Sequence, residues 1–264
     1  MIALADDIEI AYDDVGTGTP VVFVHGFPHT RALWSAQVNA LVDRARCIAP
    51  DLRGFGDSGV APPWTMERFA DDLANLLDVL RVDKAVLVGL SMGGYIAFAF
   101  WRQHRHRVRA LVLADTRPGP DSPEARAKRE HLIELARSKG SWAVADAMIN
   151  GMIGKSTRAR NPDVVEQVYR MLRSAPVEGI VGALEAMMNR PDSTPTLATI
   201  DVPTLIVVGD EDVLTPVAEA RAMHEAIEGS RLEIITGAGH VSNVERPATF
   251  NHLLSEFLSS LDLE

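Results

Sequence analysis

The chain has 264 residues, of which 47% are hydrophobic, 23% charged and 6% aromatic. That is the mix of an ordinary globular protein, and it excludes disordered, collagen-like and low-complexity classes. The 26 Lys and Arg stand against 36 Asp and Glu, a formal net charge of −10; a balance of that sign repels phosphate backbones, so no nucleic-acid partner is expected.

A chain of this length forms one large domain, or one domain carrying an insertion, and buries roughly 70–75% of the surface its unfolded form exposes. Its single cysteine, Cys47, falls in an apolar run and reads as a buried strand residue. One cysteine leaves no intramolecular disulfide and no cysteine-based metal site. Met1 to Asp14 reads MIALADDIEIAYDD, without a basic segment ahead of an apolar one, so no secretory signal is expected. No run approaches the roughly 18 apolar residues of a membrane span. These features together predict a cytoplasmic protein with no membrane partner.

In chain order, the alternating stretch Asp7 to Asp13 predicts an antiparallel edge hairpin. Short apolar runs follow at Val21 to His25, Cys47 to Pro50, Lys84 to Gly89, Arg109 to Asp115, Pro203 to Gly209 and Arg231 to Thr236. They are nearly continuous in apolar character, are bounded by Gly, Pro and Asp, and alternate with helical patterns. That is the signature of an α/β fold with a mainly parallel sheet covered on both faces. The basic cluster from Arg102 to Arg109 reads as a solvated helix end running into a strand.

Between the fourth and fifth of these strands, Arg117 to Thr199 shows several helical patterns and no strand, which is too long for an ordinary connection. It is predicted to be an inserted helical cap. Breaker clusters at Pro118 to Pro123 and Arg190 to Pro195 flank it. The division is therefore a core of residues 1–116 and 200–264 and a cap of residues 117–199. Met148, Met152, Met171, Met187 and Met188 in the cap read first as core packing and second as an adaptable pocket lining.

Gly89-Leu90-Ser91-Met92-Gly93-Gly94 follows the strand pattern at Ala85 to Val88 and opens a helical pattern through Tyr95, Ala97 and Ala99. Strand, tight turn and helix form the setting of a G-x-S-x-G nucleophile elbow. Small residues at 89 and 93 let the backbone turn sharply and hold a serine hydroxyl, in a strained conformation, at a helix N-terminus. The plainer reading is a Gly-rich turn with a capping serine.

A serine hydroxyl is a weak nucleophile, so it needs a base to take its proton and a carboxylate to orient that base. Gly237-Ala238-Gly239-His240 follows the last strand and puts His240 at a strand's C-terminal end, where open α/β sheets build their sites. His104, His106, His131, His224 and His252 fall in helical patterns and read as surface residues. The carboxylate also belongs just past a strand, where Asp210, Glu211 and Asp212 stand together and the spacing does not choose among them. Asp210 suits a turn cap, Asp212 lies deeper, before a helix start marked by Thr215 and Pro216, and Asp115 at the end of the preceding strand competes.

An acyl-transfer site also needs donors for the developing oxyanion. The N–H of Met92, after the serine, is one candidate. The N–H of Phe27 is the other, because Gly26 lets the chain approach closely there and Pro28, which has no N–H, stiffens the loop. His25 precedes that loop and reads as a hydrogen-bonding structural residue. Arg53 and Asp57 are expected to shape a loop near the site by ion pairing, and Glu245 to cap or orient the loop after His240.

The segments His25-Gly26-Phe27-Pro28 with Trp34, Asp51 to Ser58, the elbow, Gly209 to Pro216 and Gly237 to Pro247 together resemble the α/β-hydrolase superfamily. The resemblance implies a mostly parallel eight-stranded sheet with helices on both faces and an inserted helical cap. It also implies Ser91 as nucleophile, Asp212 as acid and His240 as base, because the family pattern G-x-x-D-x-x-T-P places the acid three residues after the glycine. Epoxide hydrolases and haloalkane dehalogenases are similar around His25 to Pro28 but carry an aspartate at the elbow. Hydroxynitrile lyases rely on a lysine near the base, and Gly237 to Pro247 has none.

Gly239 to Pro247 with Phe250-Asn251 is similar to 3-oxoadipate enol-lactonases and their esterase relatives, while Pro28 is shared with cofactor-free perhydrolases. The resemblance thus implies a carboxylic-ester hydrolase that uses no metal or organic cofactor and takes a small-molecule ester or lactone. An enol-lactonase, with a perhydrolase side activity, is the alternative; it needs cationic partners, for which Arg117, Arg158, Arg160, Arg170, Arg173 and Arg190 are candidates. A non-catalytic receptor is the reading from another class. Degenerate receptors lose a triad member, whereas Ser91, Asp212 and His240 are all present here.

Overall fold

In the computed structural model, which describes residues 1–261, the chain opens with a hairpin in which β1 (Ile2–Ala5) pairs antiparallel with β2 (Ile8–Val15). Asp6 turns the corner at φ 61°, a left-handed conformation that a short polar side chain tolerates. The apolar runs form β3 (Thr19–Val24), β4 (Ala45–Pro50), β5 (Ala85–Leu90), β6 (Val108–Ala114), β7 (Thr204–Gly209) and β8 (Arg231–Ile235). They make one eight-stranded sheet in the order β1-β2-β4-β3-β5-β6-β7-β8. β2 runs antiparallel to β4, and every pairing from β4 to β8 is parallel.

One expectation needs correcting. Asp7 to Asp13 supplies only the second strand of the hairpin, and that strand lies between β1 and β4 rather than at the edge. The edge strand is β1, whose four residues are too few to display a period.

Successive side chains along a strand point to opposite faces, and the core is divided accordingly. Val22, Val24 and Leu87 pack with Phe69 and Leu73 of α2 (Met66–Val79) and Phe98 of α3 (Met92–His104). Val21, Phe23, Val86 and Val88 pack on the other face with Leu41, the last residue of α1 (Ser35–Leu41), and with Phe250 and Leu254 near the C-terminus. Each such side chain contributes roughly 1.5–3 kcal/mol by leaving water. Cys47 in β4 is fully buried, and burial pushes its thiol up to about 11.

Six helices lie between β6 and β7: α4 (Pro123–Lys139), α5 (Ser141–Met152), α6 (Lys155–Arg160), α7 (Pro162–Arg173), α8 (Val177–Met188) and α9 (Thr194–Leu197). The first breaker cluster starts this insertion. The Ser122 side chain accepts from Ala125 N–H at 3.2 Å with Pro123 in the first turn, and Gly140 at φ 86° ends α4. Met152, Met171 and Met187 are buried, and Met148 and Met188 pack half-buried against them, as core residues do.

After β7 come α10 (Val217–Ala226), α11 (Ser242–Glu245) and α12 (Pro247–Ser260). Among the described residues no helix is long and apolar enough to cross a membrane. Arg53 and Asp57 do not pair with each other. The fully buried Arg53 grips Asp72 through Nε and Nη2, both at 2.7 Å, and reaches Asp7 at 3.1 Å, whereas Asp57 pairs with Arg31 at 2.8 Å.

Candidate active site

The C-terminal ends of β3, β5, β6, β7 and β8 converge on Ser91. This residue leaves β5 and starts α3 at φ 56°, ψ −112°, a conformation an L residue adopts only where its surroundings over-determine it. Glycines make it possible. A Cβ on Gly89 would lie 2.4 Å from Gly93 O, and one on Gly93 would lie 2.2 Å from Val24 O. Thr116, just past β6, donates its hydroxyl to Ser91 O at 2.8 Å and so fastens the elbow to the neighbouring strand.

His240 Nε2 lies 2.7 Å from Ser91 Oγ, and its Nδ1 lies 2.8 Å from Asp212 Oδ2. Asp212 is itself held. Its Oδ1 accepts from the N–H groups of Leu214 and Thr215 at 2.8 and 3.0 Å, and its Oδ2 accepts the Thr215 hydroxyl at 2.6 Å. Burial raises the Asp212 carboxyl, but the charge and hydrogen bond of His240, joined by Thr215, outweigh it and hold the group below the ordinary carboxylate range. Burial lowers His240, and the charge and hydrogen bond of Asp212, with smaller help from Asp115 and Glu245, carry it above its ordinary value.

The other two carboxylates after β7 have different partners. Asp210 accepts from Gly237 N–H at 2.6 Å, and Glu211 accepts from Ser156. Asp115 takes Gly209 N–H at 2.9 Å on one oxygen and the N–H and hydroxyl of Ser242 at 3.2 and 2.5 Å on the other. It ties the end of β7 to the segment just after His240. Burial and then the charge of Asp212 push its carboxyl well above the ordinary range.

Phe27 and Met92 are both buried beside the serine. The Gly26–Phe27 segment lies against the elbow so closely that a Cβ on Gly26 would sit 3.0 Å from Leu90 O and 3.2 Å from Ser91 Cβ. The loop closes with His29 N–H donating to Gly26 O at 2.9 Å. Below it, His25 Nε2 accepts from Leu52 N–H at 3.0 Å and its Nδ1 lies 2.9 Å from Gly26 O, a structural pairing.

Sequence reasoning did not single out Thr215, which supports Asp212, or His29, whose buried ring has no hydrogen-bond partner among the described residues. Thr215 carried a signal only as a helix-start residue. His29 carried only its place next to the oxyanion-loop proline.

A mainly parallel sheet bearing a serine elbow, with a carboxylate loop and a histidine loop at its C-terminal ends, defines an α/β hydrolase. The chain belongs to that family: the family description, alpha/beta hydrolase fold, matches residues 19–247. A thermophilic esterase from Thermogutta terrifontis, solved with malate bound, is 45% identical and superposes with a TM-score of 0.94 over 96% of this chain and 94% of its own. The enol-lactonase from Burkholderia xenovorans LB400 is 29% identical with a TM-score of 0.91 over 98% of this chain and 100% of its own. Among sequences, 3-oxoadipate enol-lactonase 1 of Acinetobacter baylyi is 27% identical over 91% of this chain and 89% of its own length. Esterase and enol-lactonase neighbours support hydrolase activity.

Proposed function

We propose that the protein is a serine carboxylic-ester hydrolase acting through an acyl-enzyme on small to medium esters. The observation that carries this reading is the hydrogen-bonded row Ser91–His240–Asp212 on a strained elbow. Ser91 Oγ attacks the ester carbonyl as His240 Nε2 takes its proton. The oxyanion is held by the N–H groups of Phe27 and Met92. His240 returns the proton to the leaving alcohol, then takes one from water, whose oxygen attacks the acyl-enzyme, and the acid leaves as Ser91 is reprotonated. Asp212 stabilises the imidazolium and fixes its orientation throughout. No metal or organic cofactor enters these steps, and residues 117–199 act as a cap that shapes the acyl pocket.

A second reading, a lactonase for an anionic enol-lactone, is favoured by one cluster. Arg117, Arg129 and Arg190 converge on the single buried carboxylate of Asp121, and Arg190 stacks 4.2 Å above the Tyr95 ring, one helical turn past Ser91. Three guanidiniums against one carboxylate suit a substrate that brings a carboxylate of its own.

Steady-state hydrolysis of p-nitrophenyl esters from acetate to laurate, beside a muconolactone-derived enol-lactone, tests both readings in wild type and Ser91→Ala. The ester reading expects fast turnover of the short esters, and a loss on the order of 10⁴-fold or more in Ser91→Ala, because members of such a row act as a unit. Turnover confined to the lactone would replace it with the second reading. Equal rates in wild type and Ser91→Ala would sink the serine mechanism.

A further inference from the structure

The loop that carries His240 is fastened by groups outside the row with Ser91 and Asp212. Gly239 N–H donates to Glu245 Oε1 at 2.8 Å, and His240 N–H donates to the Met152 carbonyl at 3.0 Å. Met152 is the last residue of α5. The second oxygen of Glu245 accepts from the N–H of Gly154, in the turn that follows, at 3.0 Å. One carboxylate, 3% exposed, therefore joins the His240 loop to the α5–α6 turn of the helical insertion.

The two backbones cross at glycines. A Cβ on Gly239 would lie 2.3 Å from Gly154 N, and one on Gly154 would lie 2.8 Å from Gly239 N. Nothing larger than hydrogen fits the crossing. From the Asp212 side, Glu211 accepts the N–H and hydroxyl of Ser156, at the start of α6, at 2.8 and 2.6 Å. The insertion is thus bolted to both loops that serve Ser91.

We propose that Glu245 is a positioning residue for the reaction described above, its carboxylate aiming His240 by locking the His240 loop to the α5–α6 turn, so that the seating of the insertion sets the geometry of the base. The inference rests on His240 acting as that base. Two oxygens serve two N–H donors, and hydrogen bonds to a carboxylate are roughly twice as strong as neutral ones. An amide at 245 would offer one acceptor and turn its own NH₂ toward the second donor, so one bond must be lost. A misplacement of about 1 Å at a reacting group costs roughly 10²-fold in rate.

Charge supplies a readout that a merely structural strut would lack. The groups facing His240 are the carboxyls of Asp212, Asp115 and Glu245 and the imidazole of His29, which burial pulls toward the neutral form. Burial raises Glu245 itself, opposed first by the Thr157 side chain and then by the N–H groups of Gly239 and Gly154 and by Arg246. Its negative charge favours protonated His240, so neutralising it moves the acid limb of kcat/KM to lower pH.

The experiment follows p-nitrophenyl acetate hydrolysis against pH for the full chain carrying Glu245→Gln, Glu245→Asp or Glu211→Gln. Glu245→Gln is expected to lower the plateau kcat at least about tenfold, with KM changed less than about threefold, and to move the acid limb down. Glu245→Asp keeps the charge and loses the reach, so kcat falls while the limb stays. Glu211→Gln loosens the start of α6, next to that turn, and leaves the limb in place. A Glu245→Gln protein with plateau kcat within about twofold of wild type and an unmoved limb overturns the proposal, and so does a variant that loses only thermal stability.

Where the variants do not fold, amide hydrogen exchange of the wild type decides. Gly154, Gly239 and His240 must exchange with one shared protection, and independent exchange of Gly154 overturns the lock. Failure of the underlying serine reading shows separately, as equal hydrolysis by wild type and Ser91→Ala.

Discussion

His29 shows how much one side chain can reveal at this site. It is 1% exposed, and neither ring nitrogen has a partner among the described residues. Burial, followed by the positive charges of His25 and His240, pulls it down to about 3. In the unfolded chain an imidazole titrates near about 6.5. Between those values the unfolded state binds the extra proton, so stability falls as pH drops below about 6.5, by roughly 1.4 kcal/mol per unit. Urea unfolding at about pH 7 and pH 5 should therefore show wild type losing roughly 2 kcal/mol more than His29→Leu, which has nothing to protonate. The raised carboxyl of Asp115 works in the opposite direction but is common to both proteins and cancels. Parallel losses would mean that His29 is not held neutral.

At the scale of elements, the elbow is a three-way contact between β3, β5 and α3. Gly93→Ala would press a methyl against Val24 O at 2.2 Å and Val24 C at 2.9 Å, backbone atoms inside the sheet that cannot step aside. A loss of about 1–3 kcal/mol in urea, together with most of the hydrolysis, is expected from that overpacking. Gly119→Ala is the control, since a Cβ there meets nothing within 4 Å. Unfolding midpoints that match for the two variants would refute the steric account.

The elbow was legible in the sequence because strand, turn and helix are contiguous and glycines mark the turn. The six apolar runs lie within two residues of β3 to β8 for the same local reason. What could not be read depends on partners distant along the chain. Arg53 finds Asp72 and Asp7, Glu211 finds Ser156, and Glu245 finds Gly154. Glu245 read as a residue that caps or orients the loop after His240, and its reach to Gly154 has no sequence spacing to announce it. The three carboxylates after β7 stayed equivalent until the family pattern singled out Asp212, and their hydrogen-bond partners separate them in the same way.

At the scale of the whole molecule the net charge of −10 bears on which substrates approach. For a sphere of about 20 Å radius, it opposes a monoanion at the surface by about 1 kcal/mol when the Debye length is about 30 Å, at 10 mM salt. It opposes the same ion by roughly half as much when that length is about 8 Å, at 0.15 M. A neutral ester feels neither. The ratio of kcat/KM for p-nitrophenyl hemisuccinate to that for p-nitrophenyl butyrate should therefore rise about two- to threefold between those salt concentrations.

The local field argues the other way. Arg117, Arg129 and Arg190 would attract the carboxylate, and salt would weaken them. These guanidiniums are already engaged, however: Arg190 donates to Asp121, the Met187 carbonyl and the Gly119 carbonyl, and Arg129 to Asp121 through two nitrogens. The Nε atoms of Arg117 and Arg190 have no hydrogen-bond partner among the described residues but are buried, and Asp121 offsets part of the cluster's charge, so the global term should win and the ratio should rise. A ratio that falls with salt would show the cluster acting on the substrate, and the anionic lactone would then displace the neutral ester as the better account of what this site takes.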